Sequence, residues 1–143
     1  MRIKDYVIVL TLALASCDTF YGIYRSSVIK TMPNIESIKR AISSVNGIDN
    51  VTYKLYGGSS ETHTFFYKGG SNIYGQVSLV RDRTGKIDFL VSSFRSNRIP
   101  SQGEVDANYA IMLKIEESIE KQCGIDGLSR SMREASSAEV KHK

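Results

Sequence analysis

Four short segments between residues 50 and 94 constrain the fold of this chain most strongly. The segments NVTYKLY, THTFFYK, IYGQVSLV and KIDFLVSSF are rich in β-branched and aromatic residues, and short loops that contain glycine separate them. The loop RDRTG is a tight hairpin signal because Gly85 is free to take a positive φ. Parallel neighbours would need long crossover connections, so the pattern predicts a four-stranded antiparallel meander. Polar residues in the segments indicate that one sheet face is solvated: Lys54, Gln76, Ser78 and Asp88.

One helix is predicted on each side of the meander. The first extends from about Pro33 to Val45, where isoleucines recur at helical spacing, and Asn46-Gly47 ends it. The second begins near Glu104 and ends at Gly124, with a core-facing stripe of Val105, Tyr109, Met112, Ile115 or Glu116, Ile119 and Cys123. The predicted order is α-β-β-β-β-α, an α+β two-layer sandwich with both helices on one sheet face.

The N-terminus has the organisation of a secretory signal peptide. Arg2 and Lys4 precede an apolar stretch from Tyr6 to Ala15, and small residues lead into Cys17. The stretch is about half of the roughly 20 residues that a transmembrane helix needs, which argues against a spanning anchor.

The residues Leu14-Ala15-Ser16-Cys17 resemble the lipobox of bacterial lipoproteins. The resemblance implies that Cys17 receives a diacylglycerol, that the chain is cut before Cys17, and that the freed amine is acylated. Asp18 resembles the residue that retains enterobacterial lipoproteins in the inner membrane. The body of the chain is similar to other short lipoproteins of Gram-negative envelopes. The expected location is therefore the bacterial cell envelope, on the periplasmic face of a membrane, with the inner membrane favoured.

The length of 143 residues is suited to one domain. The boundaries place a signal peptide at 1–16, the lipidated cysteine and a tether at 17–32, the α+β domain at 33–127 and a polar C-terminal tail at 128–143. The tail is expected to be a frayed helix or disordered.

The formal net charge is +4, but acidic residues are interspersed among the basic ones. Nucleic-acid-binding proteins cluster their basic residues on one face, so no nucleic-acid partner is predicted. The membrane, reached through lipid on Cys17, is the predicted partner.

Few residues offer chemistry. With Cys17 lipidated, Cys123 has no cysteine partner, and its position in the helix stripe favours a buried apolar role over a reactive thiol. His63 and His142 are the only histidines; His63 is interpreted as a strand surface residue. Gly57-Gly58 and Gly69-Gly70 lack phosphate-loop context and are interpreted as turns. No catalytic residue, metal or cofactor is predicted.

Aromatic residues are concentrated in the first three strand segments. Tyr56, Tyr67 and Tyr74 are candidates for a tyrosine surface that contacts an envelope protein or a glycan. Cross-strand packing is the alternative explanation for these aromatics.

These observations favour a membrane-tethered, non-enzymatic binding or assembly module. One alternative is an envelope hydrolase or thiol enzyme that uses Cys123 with His63. Another is an envelope stress or phage-exclusion factor, which differs in biological role more than in chemistry.

Overall fold

The computed structural model describes residues 20–142, which form an α+β fold with one six-stranded sheet and three helices. The elements in chain order are β1 (Tyr21–Ile29), α1 (Ile35–Ser43), β2 (Asn50–Tyr56), β3 (Thr62–Gly69), β4 (Ile73–Arg81), β5 (Asp88–Ser96), α2 (Gln102–Cys123), α3 (Leu128–Ser131) and β6 (Arg133–Ser136). The predicted signal peptide at 1–16, together with Cys17 and Asp18, lies outside the described residues.

The sheet has the order β2-β3-β4-β5-β1-β6, and every neighbouring pair is antiparallel. The predicted α+β class is confirmed, and β2 to β5 form the predicted meander. The prediction of four strands was wrong, because β1 and β6 extend the sheet beyond β5. The β4–β5 turn forms because Asp82 accepts hydrogen bonds from the backbone N–H groups of Lys86 and Ile87, while Gly85 adopts φ 69°.

Residues expected to belong to a tether form β1, which pairs with both β5 and β6. The segment showed no clear apolar alternation because two polar residues, Arg25 and Ser27, alternate with Ile23 and Ile29 on the face that the helices cover. Both have distant partners: Arg25 binds Glu116, and Ser27 lies 2.6 Å from the Ser131 hydroxyl. Partners far apart in sequence thus make burial of these polar side chains tolerable.

The C-terminal segment is also ordered, contrary to the expected frayed helix or disorder. It contains α3 and β6, and beyond them Val140 is only 1% exposed, packed with Ile23, Phe94 and Met112. The folded unit therefore extends past the predicted 33–127 boundaries at both ends.

Both predicted helices are present. The helix predicted from Pro33 to Val45 is α1, which is capped by Asn34: its side chain accepts hydrogen bonds from two backbone N–H groups of the first turn. Helix α2 begins with a capping box between Ser101 and Glu104, and its C-cap Gly124 is left-handed at φ 65°, as predicted.

The hydrophobic core lies between the helices and one face of the sheet. Ile38 and Ile42 from α1 and Ile115 and Ile119 from α2 are fully buried there, and Leu128 anchors α3 in the same cluster. The sheet contributes the buried side chains Phe65, Tyr67, Val77, Leu79 and Leu90. Because all three helices use this face, none of the helices within residues 20–142 covers the opposite one.

Candidate ligand-binding face

We call the helix-free side of the sheet the open face. Residues that pair directly in an antiparallel sheet share a face, so the register assigns positions to it across all strands. Besides small and hydroxyl side chains, the open face carries the apolar and aromatic residues Tyr24, Val28, Tyr56, Phe66, Val80, Phe89 and Val91. Many of these side chains are only partly buried. Tyr74 begins at an equivalent register position, but its ring packs with Phe94 on the helix side.

The charged side chains of the open face are all basic. Its strand positions include Lys54, Lys68, Arg95 and Arg133 and, within the described strands, no acidic residue. The Lys54 ammonium lies 4.8 Å from the Tyr56 ring centroid, and the Arg95 guanidinium lies 4.8 Å from that of Phe20. The open face therefore carries a net positive charge, which favours anionic partners.

A pocket of about 230 Å³ opens on this face where β4 and β5 separate. The two strands pair from Arg81↔Asp88 to Gln76↔Ser93, and the first three residues of β4 have no partner in β5. The pocket lies at this split between the strands and is mostly apolar. Its lining residues come from three strands: Phe66, Tyr67, Lys68, Tyr74, Gly75, Gln76, Ser93 and Arg95.

Gly75 is required at this split. A Cβ atom at position 75 would lie 2.3 Å from Tyr67 Oη and 2.7 Å from the backbone oxygen of Ser93. The Tyr67 phenol therefore occupies the space beside β4 that any other residue would fill. This close approach connects the helix-covered core to the residues of the pocket.

Two hydroxyl groups among the pocket residues have no hydrogen-bond partner in the described part of the chain. These are Tyr67 Oη and Ser93 Oγ, and both atoms are buried. Burial, with a smaller contribution from the charge of Glu116, raises the pKa of Tyr67, so its phenol stays protonated and remains a donor. Buried polar atoms without partners are uncommon, and each calls for an explanation.

The predicted surface of Tyr56, Tyr67 and Tyr74 does not form. Tyr67 is only 1% exposed because it lies on the helix side of β3 in the core, so its assignment to a surface was wrong. Tyr56 is 41% exposed and pairs with Thr62, whereas Tyr74 pairs with Lys68 near the other end of β3. Six residues of extended strand separate these positions by about 20 Å. Of the three tyrosines, Tyr74 and the buried Tyr67 line the pocket.

Cys123 and His63 do not interact. Both ring nitrogens of His63 have partners, Tyr53 Oη at 2.8 Å and Glu61 Oε1 at 2.5 Å, and no hydrogen bond within residues 20–142 joins the ring to Cys123. Cys123 packs against the core, and burial raises the pKa of its thiol. These contacts give no support to the thiol-enzyme hypothesis, which needs a thiol paired with a base.

A polar cluster that the sequence did not indicate links the C-terminal segment to the body of the fold. Arg25 Nε donates to both carboxylate oxygens of the fully buried Glu116, at 2.9 and 3.1 Å, and its Nη1 donates to Glu134 at 3.1 Å. Tyr109 donates to Glu134 at 2.8 Å, and His142 stacks on Tyr109 with 3.7 Å between ring centroids. The only sequence signal was the presence of Glu116 beside Ile115 in the stripe of α2.

Opposing effects act on the pKa values of the two carboxyl groups. Burial raises the pKa of Glu116, although the ion pair with Arg25 opposes the rise. Burial acts in the same direction on Glu134, but hydrogen bonds from Tyr109, His142 and Arg25 outweigh it and lower the pKa of that group. All of these polar contacts join members of the cluster to one another. We therefore interpret the cluster as a structural link between the C-terminal segment and the body of the fold.

The described residues contain no group of three or more His, Cys, Asp or Glu side chains arranged to hold a metal ion. Among the helices of residues 20–142, none combines the length and apolar character that crossing a membrane requires.

Comparisons of the chain with protein-family models, with curated proteins and with solved structures give no match.

Proposed function

We propose that this protein is a membrane-tethered, non-enzymatic binding module of the bacterial envelope, and that the open face is its binding surface. The observation that carries the proposal is the composition of that face: four basic residues and several partly exposed aromatic residues, without an acidic residue, beside a pocket. Such a surface is complementary to an anionic ligand. Envelope proteins and glycans that carry carboxylates have this character.

The tether in this proposal is lipid on Cys17. The lipobox residues Leu14-Ala15-Ser16-Cys17 support it, and Asp18 favours retention in the inner membrane. Each buried methylene contributes about 0.8 kcal/mol, so two or more acyl chains hold a protein stably where one chain is marginal. The domain would then act on the periplasmic face of that membrane.

The tether is tested by mass spectrometry of the mature N-terminus. We expect Cys17 to be the first residue and to carry acyl chains. Cys17→Ser should abolish lipidation, because no other residue type supplies the sulfur of the thioether. A mature protein that keeps Met1 and an unmodified Cys17 would show that the lipoprotein proposal is wrong.

The binding surface is tested by affinity purification from native membranes with charge-reversed variants. Lys54→Glu combined with Lys68→Glu alters the open face. Lys39→Glu combined with Lys114→Glu makes the same change in net charge at exposed positions on α1 and α2. We expect a specific partner to be lost from the open-face variant and retained by the helix-face variant. Equal loss from both would indicate a response to net charge, and retention by both would place the binding surface elsewhere.

A further inference from the structure

We infer that the pocket between β4 and β5 binds one small carboxylate with an apolar body. This inference rests on the proposal that the open face is the binding surface, and it assigns the class of ligand. The size of the pocket, its walls and its charge define this ligand.

The size and the walls define the body of the ligand. A volume of about 230 Å³ lies below the range of about 300–1,000 Å³ that is typical of pockets for drug-sized molecules. Phe66 and Tyr74 contribute aromatic surface to the pocket, and Gly75 contributes backbone without a side chain. Tyr74 is held in place, since its backbone N–H donates to Asn108 at 2.9 Å and its ring lies 5.2 Å from that of Phe94. A small aromatic or aliphatic group therefore fits this space.

The charge defines the head group. Lys68 and Arg95 line the pocket and no acidic residue does, so an anion is favoured. The Lys68 ammonium makes no hydrogen bond or ion pair with the described residues and is available to a ligand. Arg95 is oriented by Phe20, whose ring centroid lies 4.8 Å from the guanidinium. A guanidinium presents parallel donors that match the two oxygens of a carboxylate.

The unpartnered hydroxyls of Tyr67 and Ser93 favour a ligand whose head group accepts hydrogen bonds. Tyr67 and Ser93 both line the pocket, and each has a buried hydroxyl without a partner among residues 20–142. An ionised carboxylate only accepts hydrogen bonds, so it complements the two cations directly. The Tyr67 and Ser93 hydroxyls are closed to solvent, so a carboxylate accepts from them only if neighbouring side chains move aside. A neutral amide of the same shape would replace one acceptor with a donor, and it lacks the charge.

Isothermal titration of the full chain, purified in a neutral detergent, tests the inference with three probes. Benzoate has both the head group and the body, benzamide is its neutral isostere, and acetate lacks the apolar body. We expect benzoate to bind at least about tenfold more tightly than either comparison compound, which corresponds to about 1.4 kcal/mol. Equal affinities for benzoate and benzamide, or no benzoate binding at millimolar concentration, would overturn the inference.

Variants locate the binding. Lys68→Gln and Ser93→Ala should each weaken benzoate binding about three- to tenfold with little effect on benzamide, because they remove a charge or a donor from the carboxylate. Lys114→Gln is the matched control, since it removes an exposed lysine on α2, away from the open face and the pocket. Its affinity for benzoate should be unchanged, and equal weakening by Lys114→Gln and Lys68→Gln would indicate diffuse attraction and overturn the pocket assignment.

The same preparation distinguishes failure of this inference from failure of the proposed function. Mass spectrometry reports lipid on Cys17 independently of the titration. A lipidated protein whose open-face variant loses its membrane partner, but which does not bind benzoate, would retain the proposed function and lose the pocket inference.

Discussion

Replacing Arg25 with methionine should cost much of the stability of the fold, and the contacts of Glu116 set the magnitude. Glu116 is 0% exposed, and both of its carboxylate oxygens accept hydrogen bonds from Arg25 Nε. The substitution keeps an apolar side chain of similar length but leaves a buried carboxylate without its ion-pair partner. Loss of one member of a buried pair costs about 3–5 kcal/mol, against a total of about 5–15 kcal/mol for a typical domain.

A double-mutant cycle separates the pair from its individual members. In Arg25→Met combined with Glu116→Leu, no buried charge is left unpaired, and an apolar pair in place of a buried ion pair is often nearly neutral. We expect the double variant to recover most of the about 3–5 kcal/mol lost by the single variant. Urea unfolding of the full chain, followed by far-ultraviolet circular dichroism, measures each free energy.

The pH dependence gives a second measurement of the same effect. Burial raises the pKa of Glu116 in the native state above the ordinary value of 4.5. In the pH interval between the unfolded-state pKa and this higher native-state pKa, the native state holds a proton that the unfolded state has released. This group therefore makes stability fall as pH rises through that interval. Arg25 lowers the native-state pKa of Glu116, so Arg25→Met should raise that pKa further and widen the pH interval. The stability difference between Arg25→Met and wild type should narrow as pH falls from 7 towards 4.5.

A loss below about 1 kcal/mol in Arg25→Met at pH 7 would refute this reasoning, because it would place Glu116 in contact with water. A double variant no more stable than the single one would show that packing of the arginine, rather than its charge, stabilises the fold. Glu134→Gln is a useful comparison, since that side chain is 26% exposed and can be hydrated. Its loss at pH 7 should be about 1 kcal/mol.

Three further substitutions or measurements test other parts of the fold. Ile42→Asp should unfold the domain, since an unpaired carboxylate at this fully buried position costs several kcal/mol; an unchanged melting temperature would mean that the core is elsewhere. Val140→Ala should cost about 2 kcal/mol in urea unfolding, whereas the exposed neighbour Glu139→Ala should cost almost nothing; equal effects would contradict docking of the C-terminal segment. Cys123 should react slowly with a thiol reagent in the native state and rapidly in urea, because burial raises the pKa of its thiol; rapid native labelling would favour a reactive role.

The parts of the fold that were predicted from sequence depend on local signals. The β4–β5 turn is set by Asp82 and Gly85 within a few residues, and the second helix begins and ends at its own caps, Ser101 and Gly124. Strand β1 was missed because its polar residue Arg25 is buried against Glu116, 91 residues further along the chain. No local pattern distinguishes such a strand from a solvated segment.

The candidate site could be predicted only in part for a related reason. In THTFFYK, aromatic residues fall on both faces of the strand, so alternation alone does not determine which of Phe66 and Tyr67 faces solvent. The helices decide this by packing on Tyr67, and the register with β4 then places its phenol beside Gly75. The β4–β5 ladder ends at Gln76↔Ser93, and no local pattern in the sequence specifies that end.

The start of β1 limits how a lipid anchor and the pocket are arranged. Phe20 contacts Arg95, and Arg95 lines the pocket. Phe20 is three positions after Cys17, a distance of at most about 11 Å in an extended chain. An anchor on Cys17 would therefore hold the pocket close to the membrane surface, so that ligands in or on the membrane are at a high effective concentration. Replacing residues 1–17 with a cleavable secretion signal should accordingly leave the affinity for benzoate unchanged and weaken capture of a membrane-bound partner. Loss of benzoate affinity in that released form would instead mean that the pocket depends on the anchor itself.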